Sequence, residues 1–237
     1  MTRVFYEKPI FRIAGDRGLL VEYGDGIDPE LNRKVRAIAL ATEQASPEGL
    51  LEVIPTYRSI ILIYDPGVTS PHHLEAVLLS LEERLTEIDI PLPKTVQIPV
   101  CYGGELGPDI GFVARHNNLT AADVIRIHSA PHYQIYMVGF TPGFPYLGGL
   151  PEALHTPRLE TPRTLVPAGS VGIANAQTGV YSIDSPGGWR LIGRTPLRLF
   201  DPKRANPFLF KAGDLLKFEP ISMDEYHDID KAGAKYD

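Results

Sequence analysis

Residues 139–150 read GFTPGFPYLGGL, and they open the part of the chain that decides its fold. The longer segment that begins with them, residues 139–202, holds nine prolines and ten glycines, a density that by itself is typical of low-complexity sequence. Aromatic and β-branched residues such as Trp189 and Ile192 are interleaved with these breakers, and disordered segments lack such residues. The combination predicts short strands joined by tight, shaped loops, where binding and chemistry tend to occur.

The residues before this segment predict a smaller α/β domain. Hydrophobic periodicity gives the order β-α-β-β-α-β, which is the ferredoxin-like arrangement. The four predicted strands are residues 19–23, 51–54, 59–64 and 95–100, and the two predicted helices begin after Asp28 and Ser70. Pro91 and Pro93 mark a boundary, so we expect one domain at residues 1–93 and a second at residues 94–237.

The second domain begins with helices and continues as strands. Short helices are predicted at residues 109–116 and 120–128, the latter with a capping box from Thr120 and Asp123. From Tyr133 onward, short strands and Gly/Pro turns predict a closed barrel or a sandwich, and the fold class is therefore α+β. The polar tail, residues 224–237, is expected to fray.

Composition excludes several functional classes. The net charge is −6, which argues against a nucleic-acid-binding or anionic-membrane-binding surface. Cys101 is the only cysteine, so neither an internal disulfide nor a cysteine-based zinc site is possible. No apolar run approaches the length of a membrane span, and the first residues show no signal-peptide core. A cytoplasmic location is therefore expected.

Two glycine-containing turns supply candidate residues for binding an anionic substrate or phosphate. In residues 167–181, PAGSVGIANAQTGVY, glycines permit backbone N–H groups to point at an anion. In residues 185–196, SPGGWRLIGRTP, an arginine offers a planar fork for a carboxylate or phosphate. The candidates are Gly169, Ser170, Gln177, Thr178, Ser185 and Arg194, and further local cations are Arg158, Arg163 and Arg190. Ordinary β-turns and solvent-exposed arginines are the alternative.

Large residues in the same loops are candidates for contact with a partner protein. Aromatic side chains beside proline and glycine bury much area at low entropic cost, which suits an interface. The candidates are Phe140, Pro142, Phe144, Tyr146 and Trp189. Packing inside the barrel is the alternative for the aromatic members of this set.

No familiar motif identifies a reacting residue. The sequence lacks the phosphate-binding pattern GxxxxGK[ST], the dinucleotide pattern GxGxxG and the nucleophile pattern GxSxG. His128 and His132 are four residues apart, but Pro131 interrupts any helix between them, so no metal site is predicted. The catalytic residues are left unassigned.

The glycine-proline blocks resemble one family. Together with GDRGLLVEYG at residues 15–24 and IPVCYGGELGPD at residues 98–109, they are similar to segments of the allophanate hydrolase subunit 1 family. That family includes the B subunit of the bacterial three-part 5-oxoprolinase and a sporulation-kinase inhibitor. The resemblance covers nearly the whole chain and implies a cyclophilin-like β-barrel for the second domain.

The resemblance also implies an activity and partners. It implies the B subunit of an ATP-dependent 5-oxoprolinase, which hydrolyses 5-oxo-L-proline to L-glutamate with companion subunits A and C. ATP, as Mg-ATP, would bind at a site shared with or supplied by a companion, and the lack of a nucleotide motif fits that expectation. Two alternatives stay open: a non-catalytic inhibitor of a sensor histidine kinase, and a subunit of a urea carboxylase or allophanate-processing system.

Overall fold

The computed structural model of the protein describes residues 5–85 and 91–233, and the chain divides into two compact units, residues 1–92 and 93–237. The first unit alternates strand pairs with helices. Its elements are β1 (Phe5–Ala14), β2 (Gly18–Gly24), α1 (Pro29–Ala45), β3 (Leu50–Pro55), β4 (Ser59–Tyr64) and α2 (Pro71–Glu83). The strands form one antiparallel sheet in the order β1-β2-β4-β3.

The core of the first unit lies between this sheet and its two helices. Alternate residues of β2 and β4, such as Leu19 and Leu62, are fully buried against Val35 of α1 and Leu74 of α2. Both helices start where their caps predict. The Asp28 carboxylate accepts hydrogen bonds from two N–H groups of α1, and the Ser70 hydroxyl accepts one from α2.

The predicted β-α-β-β-α-β order of this unit is not observed; the chain order is β-β-α-β-β-α. β1 was missed because it is an edge strand in which exposed and half-buried residues, with Pro9 among them, conceal any alternation. The strand predicted at residues 95–100 exists, but it belongs to the second unit, where it pairs with strands far along the chain.

The second unit is built on a closed barrel of seven strands, in the order β10-β7-β6-β13-β5-β12-β9. The barrel fits a cyclophilin-like fold. A separate pair, β11 with β8, lies outside the barrel. The elements are β5 (Thr95–Tyr102), α3 (Ile110–His116), α4 (Ala121–Ser129), β6 (Tyr133–Gly139), β7 (Phe144–Gly148), a 3₁₀ turn (Glu152–Leu154), β8 (Arg163–Val166), β9 (Ser170–Ala174), β10 (Gln177–Val180), β11 (Ser185–Gly187), β12 (Arg190–Arg194), β13 (Leu215–Pro220) and α5 (Met223–Ala232).

Aliphatic side chains fill the barrel, and α4 packs beside it. Val100, Ile135, Val171 and Ile192 are all fully buried in one cluster, which also includes Val124 of α4. The predicted helices at residues 109–116 and 120–128 are confirmed, including the capping box of α4. The tail expected to fray instead forms α5, because Ser222 and Glu225 make a second capping box; residues 234–237 lie outside the described residues.

Candidate functional site

A cleft of about 600 Å³ lies in the second unit and brings the aromatic loops together. We call it the aromatic cleft, and its defining residues are Phe144, Tyr146, Arg158, Tyr181, Ser185 and Trp189. A pocket of this size, with apolar walls and a few polar groups, is typical of small-molecule sites. The cleft is therefore the candidate functional site.

The floor of the cleft is a set of aromatic rings packed edge to face. The centroid of the Phe144 ring lies 5.2 Å from that of Tyr146, 5.4 Å from that of Tyr181 and 5.6 Å from that of Trp189, with interplanar angles of 67°, 75° and 90°. Such geometry is favourable for aromatic pairs. Phe144 is 2% exposed and Tyr181 is 1% exposed, so these two rings form a fixed base.

Glycines let the rings approach one another. A Cβ added at Gly179 would lie 2.9 Å from the Phe144 ring and 3.2 Å from the Trp189 ring, and one added at Gly187 would overlap the Tyr181 hydroxyl. Neither position could hold a larger residue without displacing an aromatic side chain. The glycine density of the sequence therefore serves ring packing as well as turn formation.

The cleft and its surroundings hold few polar groups, and these groups differ in their hydrogen-bond partners. Burial raises the pKa of Tyr181, while a backbone hydrogen bond from Trp189 and the nearby guanidinium groups of Arg158 and Arg163 act in the opposite direction. Arg163 is held by two bonds to the Asp109 carboxylate, at 2.9 and 3.0 Å. The Ser185 hydroxyl is buried, and no residue in the described ranges 5–85 and 91–233 hydrogen-bonds to it.

The six predicted anion-binding residues do not share one site. Gln177 and Ser185 line the aromatic cleft. The backbone N–H of Gly169 donates to the Tyr181 carbonyl at 2.7 Å, and that of Ser170 donates to the Pro167 carbonyl at 3.2 Å. Both N–H groups are therefore already hydrogen-bonded within the chain.

The two remaining candidates lie elsewhere. Thr178 is fully buried, and its hydroxyl donates to the Gly172 carbonyl at 3.0 Å. Arg194 lines a second cleft of about 540 Å³, where its Nε donates to the Ala168 carbonyl at 2.9 Å. Asp184 and Asp230 also line that second cleft, so its charge is mixed.

The predicted partner-contact residues divide by exposure. Phe140 is 63% exposed and Pro142 is exposed, whereas Tyr146 and Trp189 are half-buried. Phe144 is buried, so its ring packs within this unit. Phe140 lines the edge of the aromatic cleft, and Pro142 follows two residues later in the same loop; we call these two exposed residues the rim.

Sequence reasoning missed one buried group, the imidazole of His128. Its Nδ1 lies 2.8 Å from the Tyr102 hydroxyl, its Nε2 lies 2.8 Å from the Thr178 hydroxyl, and its ring stacks on Phe218 at 4.5 Å. Burial lowers the pKa of His128 from 6.5 to about 3. The missed signal was its spacing: His128 is four residues after the buried Val124, on the same face of α4.

Two kinds of feature are absent from residues 5–85 and 91–233, the part of the chain that the structure describes. No group of three or more His, Cys, Asp or Glu side chains in those ranges could hold a metal ion. No helix there is long and apolar enough to cross a membrane.

Comparison with known proteins identifies relatives over most of the chain. The family model of the carboxyltransferase domain, subdomain C and D, matches residues 9–210. The 5-oxoprolinase B subunit of Bacillus subtilis is 45% identical over 90% of this chain and 93% of its own length, and that of Haemophilus influenzae is 46% identical over 76% and 84%. The crystal structure of PH0987, a conserved uncharacterized protein from Pyrococcus horikoshii, aligns with a TM-score of 0.55 at 50% identity, covering 92% of this chain and 100% of that one.

Proposed function

The chain belongs to the family of the carboxyltransferase domain, subdomain C and D, and on that premise we propose that it is the B subunit of an ATP-dependent 5-oxoprolinase. The complex would hydrolyse 5-oxo-L-proline to L-glutamate together with companion subunits A and C. The observation that carries this proposal is the near-full-length identity to the Bacillus subtilis protein of that name. Use of ATP would place the reaction in the cytoplasm.

The chemistry explains why ATP is needed. A lactam carbon is a poor electrophile, and transfer of the γ-phosphoryl group of ATP to the lactam oxygen would activate it. ADP leaves after this transfer. Water then attacks that carbon and the ring C–N bond breaks, which gives an acyl phosphate, and a second water hydrolyses the acyl phosphate to glutamate and phosphate. Such transfer depends mainly on positioning and charge stabilisation, so several subunits can share the work.

We assign the ATP site to a companion or to a boundary with one. The triphosphate of Mg-ATP needs several cationic or N–H partners. Among the residues that the structure describes as lining the aromatic cleft, Arg158 is the one cation. This supports a division in which the nucleotide is held mainly outside the cleft.

The rim residues suit contact with a companion. Phe140 is a large apolar side chain exposed to solvent, and Pro142 lies beside it. We assign the partner contact to these two residues, while Phe144 supplies internal packing.

The proposal extends to the architecture. We divide the chain into functional domains at residues 1–93 and 94–237. We describe the first as a ferredoxin-like variant, in which β1 takes the edge position beside β2 that a final strand would otherwise hold.

Reconstitution tests the proposed function. We expect the purified chain alone to form no glutamate from 5-oxoproline, and its mixture with companion subunits A and C to form it with Mg-ATP. Omission of each subunit in turn is the control. An inactive three-subunit mixture, or full activity from this chain alone, would contradict the proposal.

The family description favours a second candidate. A carboxyltransferase domain indicates transfer of a carboxyl group, as in a urea carboxylase or allophanate-processing system. Formation of allophanate from urea and a carboxylated biotin carrier, with release of the free biotin carrier, would support that candidate. Glutamate formation by the three-subunit mixture, with no allophanate, would support the 5-oxoprolinase.

A further inference from the structure

We propose that the aromatic cleft binds the substrate itself, a small cyclic amide acid: Arg158 takes its carboxylate, Ser185 pairs with its amide, and the aromatic rings enclose its apolar edge. This inference rests on the proposed function. It assigns recognition of the lactam to this chain and not to a companion.

The size and shape of the cleft fit this assignment. Its volume of about 600 Å³ exceeds that of one five-membered ring. The chemistry requires that excess, because a phosphoryl donor must reach the lactam oxygen while the ring is bound. The fixed Phe144 and Tyr181 rings give a preformed floor, which lowers the cost of ordering the site on binding.

The charge in the cleft matches a monoanion. Arg158 is exposed, and no carboxylate in the described parts of the chain pairs with it. The neighbouring Arg163 is bound to Asp109. Arg190 is also engaged, because its guanidinium lies 3.6 Å from the centroid of the Phe112 ring and its Nε donates to the Pro157 carbonyl. One available planar guanidinium suits one carboxylate through two parallel hydrogen bonds.

The Ser185 hydroxyl supplies the second polar contact. It belongs to a side chain that lines the cleft and is 6% exposed, and it has no partner among the described residues. A buried hydroxyl without a partner is unfavourable, so a ligand that bonds to it gains affinity. A lactam offers both an N–H donor and a C=O acceptor, and a hydroxyl can pair with either.

Trp189 makes the inference directly measurable. It is the only tryptophan of the chain and it lines the cleft, so its fluorescence reports occupancy of this site. We expect 5-oxo-L-proline to change the emission of the full chain saturably. Cyclopentanecarboxylate, which lacks the amide, and 2-pyrrolidinone, which lacks the carboxylate, should each bind roughly tenfold more weakly, because each loses one polar contact. ATP should bind more weakly still.

Two variants tie each ligand group to its residue. Arg158→Gln should weaken binding of 5-oxoproline roughly tenfold or more and leave 2-pyrrolidinone unaffected, since the guanidinium contacts only the carboxylate. Ser185→Ala should weaken binding of 5-oxoproline and leave binding of cyclopentanecarboxylate, which has no amide, unaffected. Arg115→Gln, at an exposed arginine of α3 outside the cleft, is the matched control and should change nothing. Binding that survives both cleft substitutions, or no binding of 5-oxoproline to the full chain or the three-subunit complex, would overturn the assignment.

Kinetics of the three-subunit complex separate this inference from the proposed function. We expect Arg158→Gln to raise KM for 5-oxoproline roughly tenfold or more with KM for ATP unchanged, and Arg158→Lys to recover part of the loss. An active complex in which Arg158→Gln leaves KM unchanged would overturn the cleft assignment and leave the proposed function standing. An inactive wild-type complex in which this chain still binds 5-oxoproline through Arg158 and Ser185 would overturn the proposed function and leave the cleft assignment standing.

Discussion

His128 shows at the scale of one residue how burial fixes a protonation state. The Thr178 hydroxyl donates to the Gly172 carbonyl, so it accepts from His128 Nε2–H. Nδ1 is then left to accept from the Tyr102 hydroxyl. A proton on Nδ1 would reverse that bond and place a charge in a fully buried site, and this burial lowers the pKa of His128 to about 3.

The lowered pKa of His128 predicts loss of stability in acid. In the unfolded chain, His128 takes up a proton near pH 6.5, whereas in the folded chain it stays neutral down to about pH 3. The stability that this difference contributes is therefore fully present above pH 6.5 and is lost between pH 6.5 and pH 3. Inside that window the free energy of unfolding falls by about 1.4 kcal/mol per pH unit, which gives a loss of roughly 2 kcal/mol between pH 7.5 and pH 5. Urea unfolding followed by Trp189 fluorescence at both pH values measures the change.

His132, which is exposed, provides the matched control for His128. His128→Gln should remove this part of the pH dependence, and His132→Gln should leave it in place. NMR of the wild-type imidazoles gives a second measurement that needs no variant. A His128 ring that titrates near pH 6.5 in the folded protein would contradict the prediction.

The sequence identified four of the six residues that define the cleft, but it named the cation of the cleft, Arg158, only as a further local cation. Phe144, Tyr146, Ser185 and Trp189 were named as candidates because glycine-proline loops present aromatic and hydroxyl side chains. Arg194 was favoured over Arg158 because it lies close to Trp189 along the chain. β12, however, carries Arg194 to a second cleft, while Arg158 reaches the aromatic cleft from a distant loop. Proximity in sequence does not report such long-range placement.

At the scale of elements, local chemistry predicted helices better than strand partners. Asp28, Ser70 and Thr120 begin helices as expected, because capping depends only on residues within one turn. The strand at residues 95–100 was counted in the strand order of the first unit, although it lies beyond the predicted boundary at residue 93, because its partner β13 is about 120 residues further along the chain. Non-local pairing leaves no local pattern in the sequence.

The start of β7 gives a prediction at this scale. Phe144 is the common neighbour of four rings, those of Phe140, Tyr146, Tyr181 and Trp189, so Phe144→Ala should leave a void and destabilise the second unit by about 3–5 kcal/mol. Phe140→Ala, in the same loop but 63% exposed, loses one edge-to-face contact with Phe144 and should lower stability by only about 1 kcal/mol. Urea unfolding monitored by circular dichroism compares them. If the Phe144→Ala chain were stable but failed to assemble, Phe144 would instead belong to the partner interface.

At the scale of the whole molecule, we infer that the rim would link the proposed substrate binding to assembly with a companion. Phe140 has φ of 61°, a left-handed conformation that non-glycine residues rarely adopt. The loop holds this strained backbone while presenting a large apolar side chain to solvent, and strain of this kind tends to cluster at functional sites. A companion that covers Phe140 would also lie beside the cleft, where the phosphoryl donor must enter.

Phe140→Ala should therefore weaken association with the companion subunits by roughly 1–4 kcal/mol, as truncation of an aromatic interface anchor does. Phe208→Ala, which removes another exposed ring of the same unit outside the aromatic cleft, should leave association unchanged. Isothermal titration of the companion subunits into each folded variant, without substrate or nucleotide, measures the affinity apart from any effect on the cleft. Wild-type affinity in Phe140→Ala would mean that the companions bind elsewhere, and that the strained loop serves the cleft alone.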